Sequence, residues 1–285
     1  MLLRPLIDPI IERALREDLA GGDLTAEACI PAEQRSVANA LAKSPLVVAG
    51  GEVFRRVFEL VDASIRFETL VADGERAEGR KVIWRVEGPS RSLLMAERTA
   101  LNFVQRMSGI ATLARRCVDA IPPGAKTRIV DTRKTTPGLR ILERYAVRCG
   151  GAHNHRDMLG SAVLIKDNHI VAAGGITAAI ERARAHAPHT SRIEVEVTSL
   201  AELELAIAAG ADIVLLDNFD DATTQAAVDR TRTLAKPPIL EASGGITEAR
   251  IATLAKIGVD VISVGALTHS APAADISLDF VQGGA

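Results

Sequence analysis

"IEVEVTSLAELELAIAAGADIVLLDN", residues 193–218, decides the fold. Two short runs of Val, Ile and Leu flank an amphipathic stretch, "SLAELELAIAAGA". Near-continuous apolar strands alternating with helices mean a parallel sheet covered on both faces. The pattern extends both ways, through "TRIVDT" and "SAVLIKD" upstream and "PILEAS", "ITEARIATLAKIGVD" and "VISVGAL" downstream. About six or seven such units suggest a (β/α) barrel, complete or incomplete, rather than an open sheet.

Before residue 126 the pattern differs. "PLIDPIIERALREDL" has helical spacing, with Ile7, Ile10, Ile11, Leu15 and Leu19 on one side, and "AGGDLT" stops it. "SVANALAK", "PLVVAG", "SIRFETLV" and "KVIWRVEG" read as short strands around one helix, "GEVFRRVFELV". They suggest a small antiparallel sheet with helical cover, in which Trp84 packs. "SRSLLMAERTALNFVQRMSGIATLARRCVDAI" is one long helix or two, with Gly109 as the candidate break. The expected organisation is an N-terminal α+β domain over 1–105, a barrel over 106–270, and a tail over 271–285 packing back on the first domain.

Composition narrows the function. With 285 residues there is enough chain for real cores, and a net charge of −2 argues against a general nucleic-acid binder. Aromatics at 3% leave little for base stacking. Cys29, Cys117 and Cys149 are far apart and not in C-x-x-C form, which fits a reducing, cytoplasmic setting. The N-terminus carries charges and prolines through its apolar positions, so neither a signal peptide nor a membrane span is expected.

Each barrel strand ends in polar residues. Asp131 to Lys134 follow "TRIV", and Lys166, Asp167, Asn168 and His169 follow "AVLI". Glu196 closes "IEVE", Asp217 and Asn218 close "IVLL", and Glu241 with Ser243 close "PILEAS". In a parallel barrel these ends converge on one face. Arg133, Lys134, Arg156 and Lys166 suit carboxylates or phosphates. Glu196 and Asp217 suit a hard cation, sugar hydroxyls or a cationic transition state. "EASGGIT" and "SVGALTHS" set small residues straight after the last two strands, a frequent phosphate-binding arrangement. The chemistry implied is an anionic small molecule plus a phosphorylated, metal-bound sugar. His153, His155 and His169 lack a Cys/His/carboxylate pattern at ligand spacing, so no protein-ligated transition metal is expected.

The motifs "AERTALN", "GIAT", "DTRKTTPGLR", "RYAVRCGGAHNHR", "LIKDNH", "EVEV", "LLDN", "ASGGI" and "VGALTHS" together resemble the quinolinate phosphoribosyltransferase family, from about residue 15 to the end. The resemblance implies an N-terminal open sandwich followed by an incomplete α/β barrel. It implies transfer of phosphoribose from phosphoribosyl pyrophosphate to quinolinate, with loss of CO2 to give nicotinate mononucleotide in NAD biosynthesis. Mg²⁺ accompanies the pyrophosphate. A homodimer or dimer-based hexamer is implied, with the site shared between subunits.

Carried onto this sequence, Arg133, Arg156 and Lys166 bind the quinolinate carboxylates, with His155 and Thr132 beside them and Arg98 arriving from a second subunit. Lys134 also serves the phosphoribosyl donor, and Glu196 and Asp217 face its ribose and metal-bound pyrophosphate. Ser243, Gly244, Gly245, Val264, Gly265 and Ala266 form the phosphate cradle, with His269 next to it. Lys134, Lys166, Glu196 and Asp217 are the expected catalytic set. Two rivals remain: a phosphoribosyltransferase for nicotinate or another pyridine or pyrimidine acid, which needs fewer cations, and a non-catalytic phosphate-sugar binding protein on the same fold.

Overall fold

The computed structural model describes residues 2–281; the last four residues of the expected tail lie outside them. The chain divides into two compact units, one of residues 1–115, 134–151 and 266–285, the other of 116–133 and 152–265. The boundary expected at 105/106 falls inside an uninterrupted helix, Ser90–Asp119.

The first unit opens with α1 (Arg4–Leu19), which buries Ile7, Ile11 and Leu15 at helical spacing, and α2 (Leu24–Cys29), capped by the Asp23 carboxylate. Then come β1 (Arg35–Ala42), β2 (Leu46–Val47), α3 (Gly51–Val61), β3 (Arg66–Thr69), β4 (Arg76–Ala77), β5 (Lys81–Pro89) and α4 (Ser90–Asp119). The strands β1, β3 and β5 form an antiparallel sheet that a late strand, Ile276–Phe280, completes in the order late strand–β1–β5–β3. "PLVVAG" does not join it; β2 pairs only with β4. Val53, Phe54, Val57 and Phe58 give α3 one buried apolar stripe. Phe54 lies 4.9 Å from both Phe58 and Trp84, and Trp84 is fully buried as the centre of this core.

Gly109 does not break α4. A Cβ there would lie 1.9 Å from the Pro272 carbonyl oxygen, so the glycine admits the returning chain at close range. Ala274 N–H donates to Gln105 O at 2.8 Å and the Gln105 amide donates to Ile276 O at 2.7 Å, fastening that segment to the helix.

The second unit holds the barrel sheet. Its strands are β6 (Arg128–Val130), β7 (Val163–Ile165), β8 (Ile193–Val197), β9 (Ile213–Asp217), β10 (Ile239–Ser243) and β11 (Val261–Ser263), and the late strand is β12. The helices α6 (Asp167–Ala173), α7 (Ile176–His186), α8 (Leu200–Ala208), α9 (Asp221–Arg232) and α10 (Glu248–Ile257) connect β7 to β11. Between β6 and β7 lies α5 (Arg140–Cys149), and α11 (Ala266–His269) follows β11; both are in the first unit.

The six parallel strands run β6-β11-β10-β9-β8-β7, so the first strand in sequence lies beside the last. This is the order of a sheet curling towards closure. On the other flank of β6 the described residues give one parallel bridge, Val130 to His153, and no strand, so the barrel is incomplete. Ser199, Asp220 and Thr247 cap α8, α9 and α10 by accepting a backbone N–H, which ends each strand-to-helix turn tightly.

Candidate functional site at the carboxyl ends of the barrel strands

Side chains alternate along a strand, so Glu194 and Glu196 of β8 share a face, as do Glu241 and Ser243 of β10. The pairing register sets Glu196 opposite Leu215, Leu215 opposite Glu241 and Asp217 opposite Ser243. Glu196 and Asp217 are therefore on the same face of adjacent strands, Asp217 two residues further along β9 than the partner of Glu196. Lys166, immediately after β7, reaches this row: its Nζ lies 2.5 Å from Glu196 Oε2. Lys166 is exposed and Glu196 mostly covered, so the pair lies at the rim with its acidic half inward.

Asp217 is held from the next residue. Asn218 Nδ2 donates to Asp217 Oδ2 at 2.9 Å, and Asn218 has a left-handed backbone, φ 55°. Asn tolerates that region better than most residues. Its side chain lies against Gly244, where a Cβ would come within 2.1 Å of Asn218 Oδ1. Gly244 and Gly245 both have positive φ, 91° and 56°, a path that glycine follows without strain. Val264 contributes no free backbone donor to the cradle, because its N–H bonds Val130 O at 2.9 Å.

The loop after β6 is anchored by Asp131, which is fully buried. Its Oδ1 accepts the His155 N–H at 2.7 Å and its Oδ2 accepts from Asn154 Nδ2 at 2.6 Å. Thr132 and Arg133 follow, both half-buried. Arg156 donates through Nη1 to Ala162 O at 3.0 Å. Burial, then the charge of Arg133, holds the Arg156 guanidinium below the usual arginine range.

His155 forms a cluster that sequence reasoning missed. Its Nε2 lies 3.3 Å from Glu194 Oε2 and 3.5 Å from Glu241 Oε1, the latter an approach rather than a hydrogen bond. Both carboxylates are buried, and one ligand atom from each of the three residues falls within 4.8 Å of the others. Burial presses the imidazole pKa down, but the two carboxylates outweigh it and push it up to about 10. Burial also raises the Glu194 carboxyl. The available signal was "EVEV" itself, since two carboxylates alternating along a strand expected to be buried on both faces are anomalous.

Gly265 ends the second unit, and the remaining expected residues are in the first. Lys134 is exposed, and its carbonyl accepts from Thr268 Oγ1 at 2.8 Å. Ala266 begins α11, and the His269 ring meets Ser270 Oγ at 2.6 Å. Arg98 is exposed on α4 and lines a cavity of about 570 Å³ with Arg13, Asn102, Phe103 and Pro137. Two further histidines acquire structural roles: His153 bridges β6, and His169 accepts the Lys166 N–H at 2.9 Å at the start of α6. Among the described residues no helix is long and apolar enough to cross a membrane.

The family profile "Quinolinate phosphoribosyl transferase, C-terminal domain" matches residues 110–279, and the corresponding N-terminal domain matches 23–108. A nicotinate-nucleotide pyrophosphorylase [carboxylating] of Mycobacterium leprae is 45% identical, covering 94% of this chain and 95% of that protein. The human protein of that name is 39% identical over 98% of this chain and 93% of its own. The structure of the nicotinate-nucleotide pyrophosphorylase from Francisella tularensis superposes with a TM-score of 0.93 at 40% identity, covering 99% of this chain and 98% of that one. The chain belongs to the quinolinate phosphoribosyltransferase family.

Proposed function

We propose that this protein transfers phosphoribose from phosphoribosyl pyrophosphate to quinolinate and releases CO2, forming nicotinate mononucleotide for NAD biosynthesis. The observation that carries the reading is the pairing of opposite charges on one rim, where Lys166 meets Glu196 one strand from Asp217. A dianionic acceptor and a polyanionic sugar donor need cations beside carboxylates, and a rim for a single simple anion would not. The relatives' shared name supports the same substrate pair.

The quinolinate ring nitrogen attacks C1 of the donor ribose as the bond to pyrophosphate breaks. No general base is required, because the nucleophilic lone pair carries no proton. Alignment and electrostatic stabilisation supply the catalysis. Arg133, Arg156 and Lys166 orient the two carboxylates of quinolinate, with Thr132 and His155 beside them. Glu196 and Asp217 face the ribose as positive charge develops at C1. Lys134 serves the donor, and Ser243, Gly244, Gly245, Gly265 and Ala266 receive its phosphate, with His269 adjacent. The carboxylate oxygens of Glu196 and Asp217 fit a hard cation, and would face an Mg²⁺ brought with the donor's pyrophosphate, which would supply positive charge beside the leaving group. Once the N-glycosidic bond forms, the ring nitrogen is cationic. Its positive charge stabilises the electron pair left on C2 when CO2 departs, and that pair then takes up a proton from solvent.

Arg98 reaches quinolinate from a second copy of the chain, in a homodimer or a dimer-based hexamer. The three free cysteines fit a cytoplasmic setting. Incubation with Mg²⁺, phosphoribosyl pyrophosphate and carboxyl-labelled quinolinate tests the whole reading, with CO2 and nicotinate mononucleotide expected in equal amounts. Nucleotide formed only from nicotinate would identify the narrower acceptor. Absence of turnover with both acceptors would leave a binding protein.

A further inference from the structure

Inside the barrel lie two buried carboxylates to which the proposed reaction gives no role. Glu194 and Glu241 are 4% and 3% exposed, yet both are ionisable groups in a core of Val, Ile and Leu. Burying two carboxylates near each other is costly unless something between them binds both. That group is the His155 ring, whose Nε2 faces Glu194 and Glu241 at 3.3 and 3.5 Å.

The same ring is gripped on its other side. Nδ1 accepts the Arg156 N–H at 2.7 Å, and the His155 N–H goes to Asp131 at 2.7 Å. Residues 154–156 are thus fastened to acids from the end of β6, from β8 and from β10. The fastened segment ends in Arg156, one of the cations assigned to the quinolinate carboxylates.

We infer that Glu194 and Glu241 are positioning residues of the quinolinate subsite: they clamp His155 from within the barrel and so aim His155 and Arg156 at the dicarboxylate without touching it. The inference rests on the proposed function. The clamp is charged rather than merely polar, and an isosteric amide keeps its shape while removing its charge. Groups facing the ring and its neighbour are Glu194 of β8, Glu241 of β10, Asp131 at the end of β6, and the guanidinium groups of Arg156 and Arg133. Because Nδ1 accepts the Arg156 N–H, it is the Nε2 side of the ring that lies between the two acids.

The test is steady-state kinetics on Glu194→Gln and Glu241→Gln with both substrates varied, alongside a nitrogen-15 histidine NMR titration of the wild-type protein. The quinolinate KM is expected to rise about tenfold to a hundredfold in each folded variant, with the donor KM unchanged. The wild-type His155 ring is expected to keep its Nε2 proton and show no ordinary imidazole titration from pH 6 to 8. An unchanged quinolinate KM, or an equal rise in both KM values, would overturn the role. If neither variant folds, the NMR titration decides: a free-imidazole midpoint near 6.5 overturns the clamp. If the wild type does not turn over quinolinate, the function fails and the role with it, even where NMR upholds the clamp.

Discussion

Lys166 Nζ sits 2.5 Å from Glu196 Oε2, so a cation assigned to the acceptor and a carboxylate assigned to the donor neutralise each other before either substrate arrives. The pair joins the end of β7 to β8 across one ladder step. On the proposed roles, a quinolinate carboxylate that takes Lys166 would release Glu196 towards the ribose.

Lys166→Ala should raise the quinolinate KM, and Glu196→Gln should raise the donor KM, each with a loss of about 10²–10³ in kcat. The double variant should lose less than the product of the two, since each single change strands the other charge. Multiplicative losses, or normal turnover in Lys166→Ala, would refute the coupling and the assigned carboxylate role.

Asn218 stores a small strain for Asp217. Its left-handed backbone costs an ordinary residue about 1 kcal/mol, which glycine does not incur. Asn218→Gly should hold stability within about 1 kcal/mol of wild type. It should lower kcat/KM for the donor about tenfold, because the 2.9 Å bond to Asp217 is gone. Asn218→Ala should lose both stability and turnover. Thermal melts and donor titrations separate the two effects, and wild-type kinetics in Asn218→Gly would refute the link to Asp217.

The barrel was legible because its strands are short apolar runs that stop at a charge. "IEVEV" and "DIVLLDN" became β8 and β9; Asp131, Lys166, Asp217 and Ser243 close or follow their strands, while Glu196 lies one residue and Glu241 two residues before the end of theirs. What escaped notice depended on long-range approach. Gly109 looks like a helix break in isolation; only the Pro272 carbonyl explains it. Glu194 looks like one side of an alternating strand, and nothing local tells that His155, 39 residues earlier, meets it inside the barrel. The helix Arg140–Cys149 lies within a stretch legible only as motif residues, and it buries one acid, Glu143, beside Leu142, Ala146 and Val147.

Glu143 is 1% exposed and joins three segments of the first unit. It accepts Arg106 Nη2 at 3.0 Å and the Thr136 N–H at 3.0 Å, while Arg106 also reaches the carbonyls of Thr268 and Ala271. The network thereby steadies both sides of the loop that carries Lys134. Glu143→Ala should cost ~2–3 kcal/mol, somewhat below a fully buried pair because Arg106 is partly wet. Urea unfolding should show a lower midpoint at unchanged slope. A shift below about 0.5 kcal/mol would mean that Arg106 and Thr136 find other partners at no cost.

Arg98 tests the shared site. It is exposed on α4, and no hydrogen bond among the described residues of the first unit requires a guanidinium there. Arg98→Ala should therefore fold with wild-type stability and lose quinolinate affinity. If Arg98 acts in the neighbour's site, a mixture of Arg98→Ala and Lys166→Ala chains, unfolded and refolded together, should regain activity that neither preparation has alone. In such a mixed dimer one site combines an intact Arg98 with an intact Lys166, while the other lacks both. If each chain instead supplied its own Arg98, every site in the mixture would lack one cation and no activity would return. Recovery would establish self-association and the shared site together. A failure to recover, with mixed dimers demonstrated by mass spectrometry, would confine Arg98 to its own subunit.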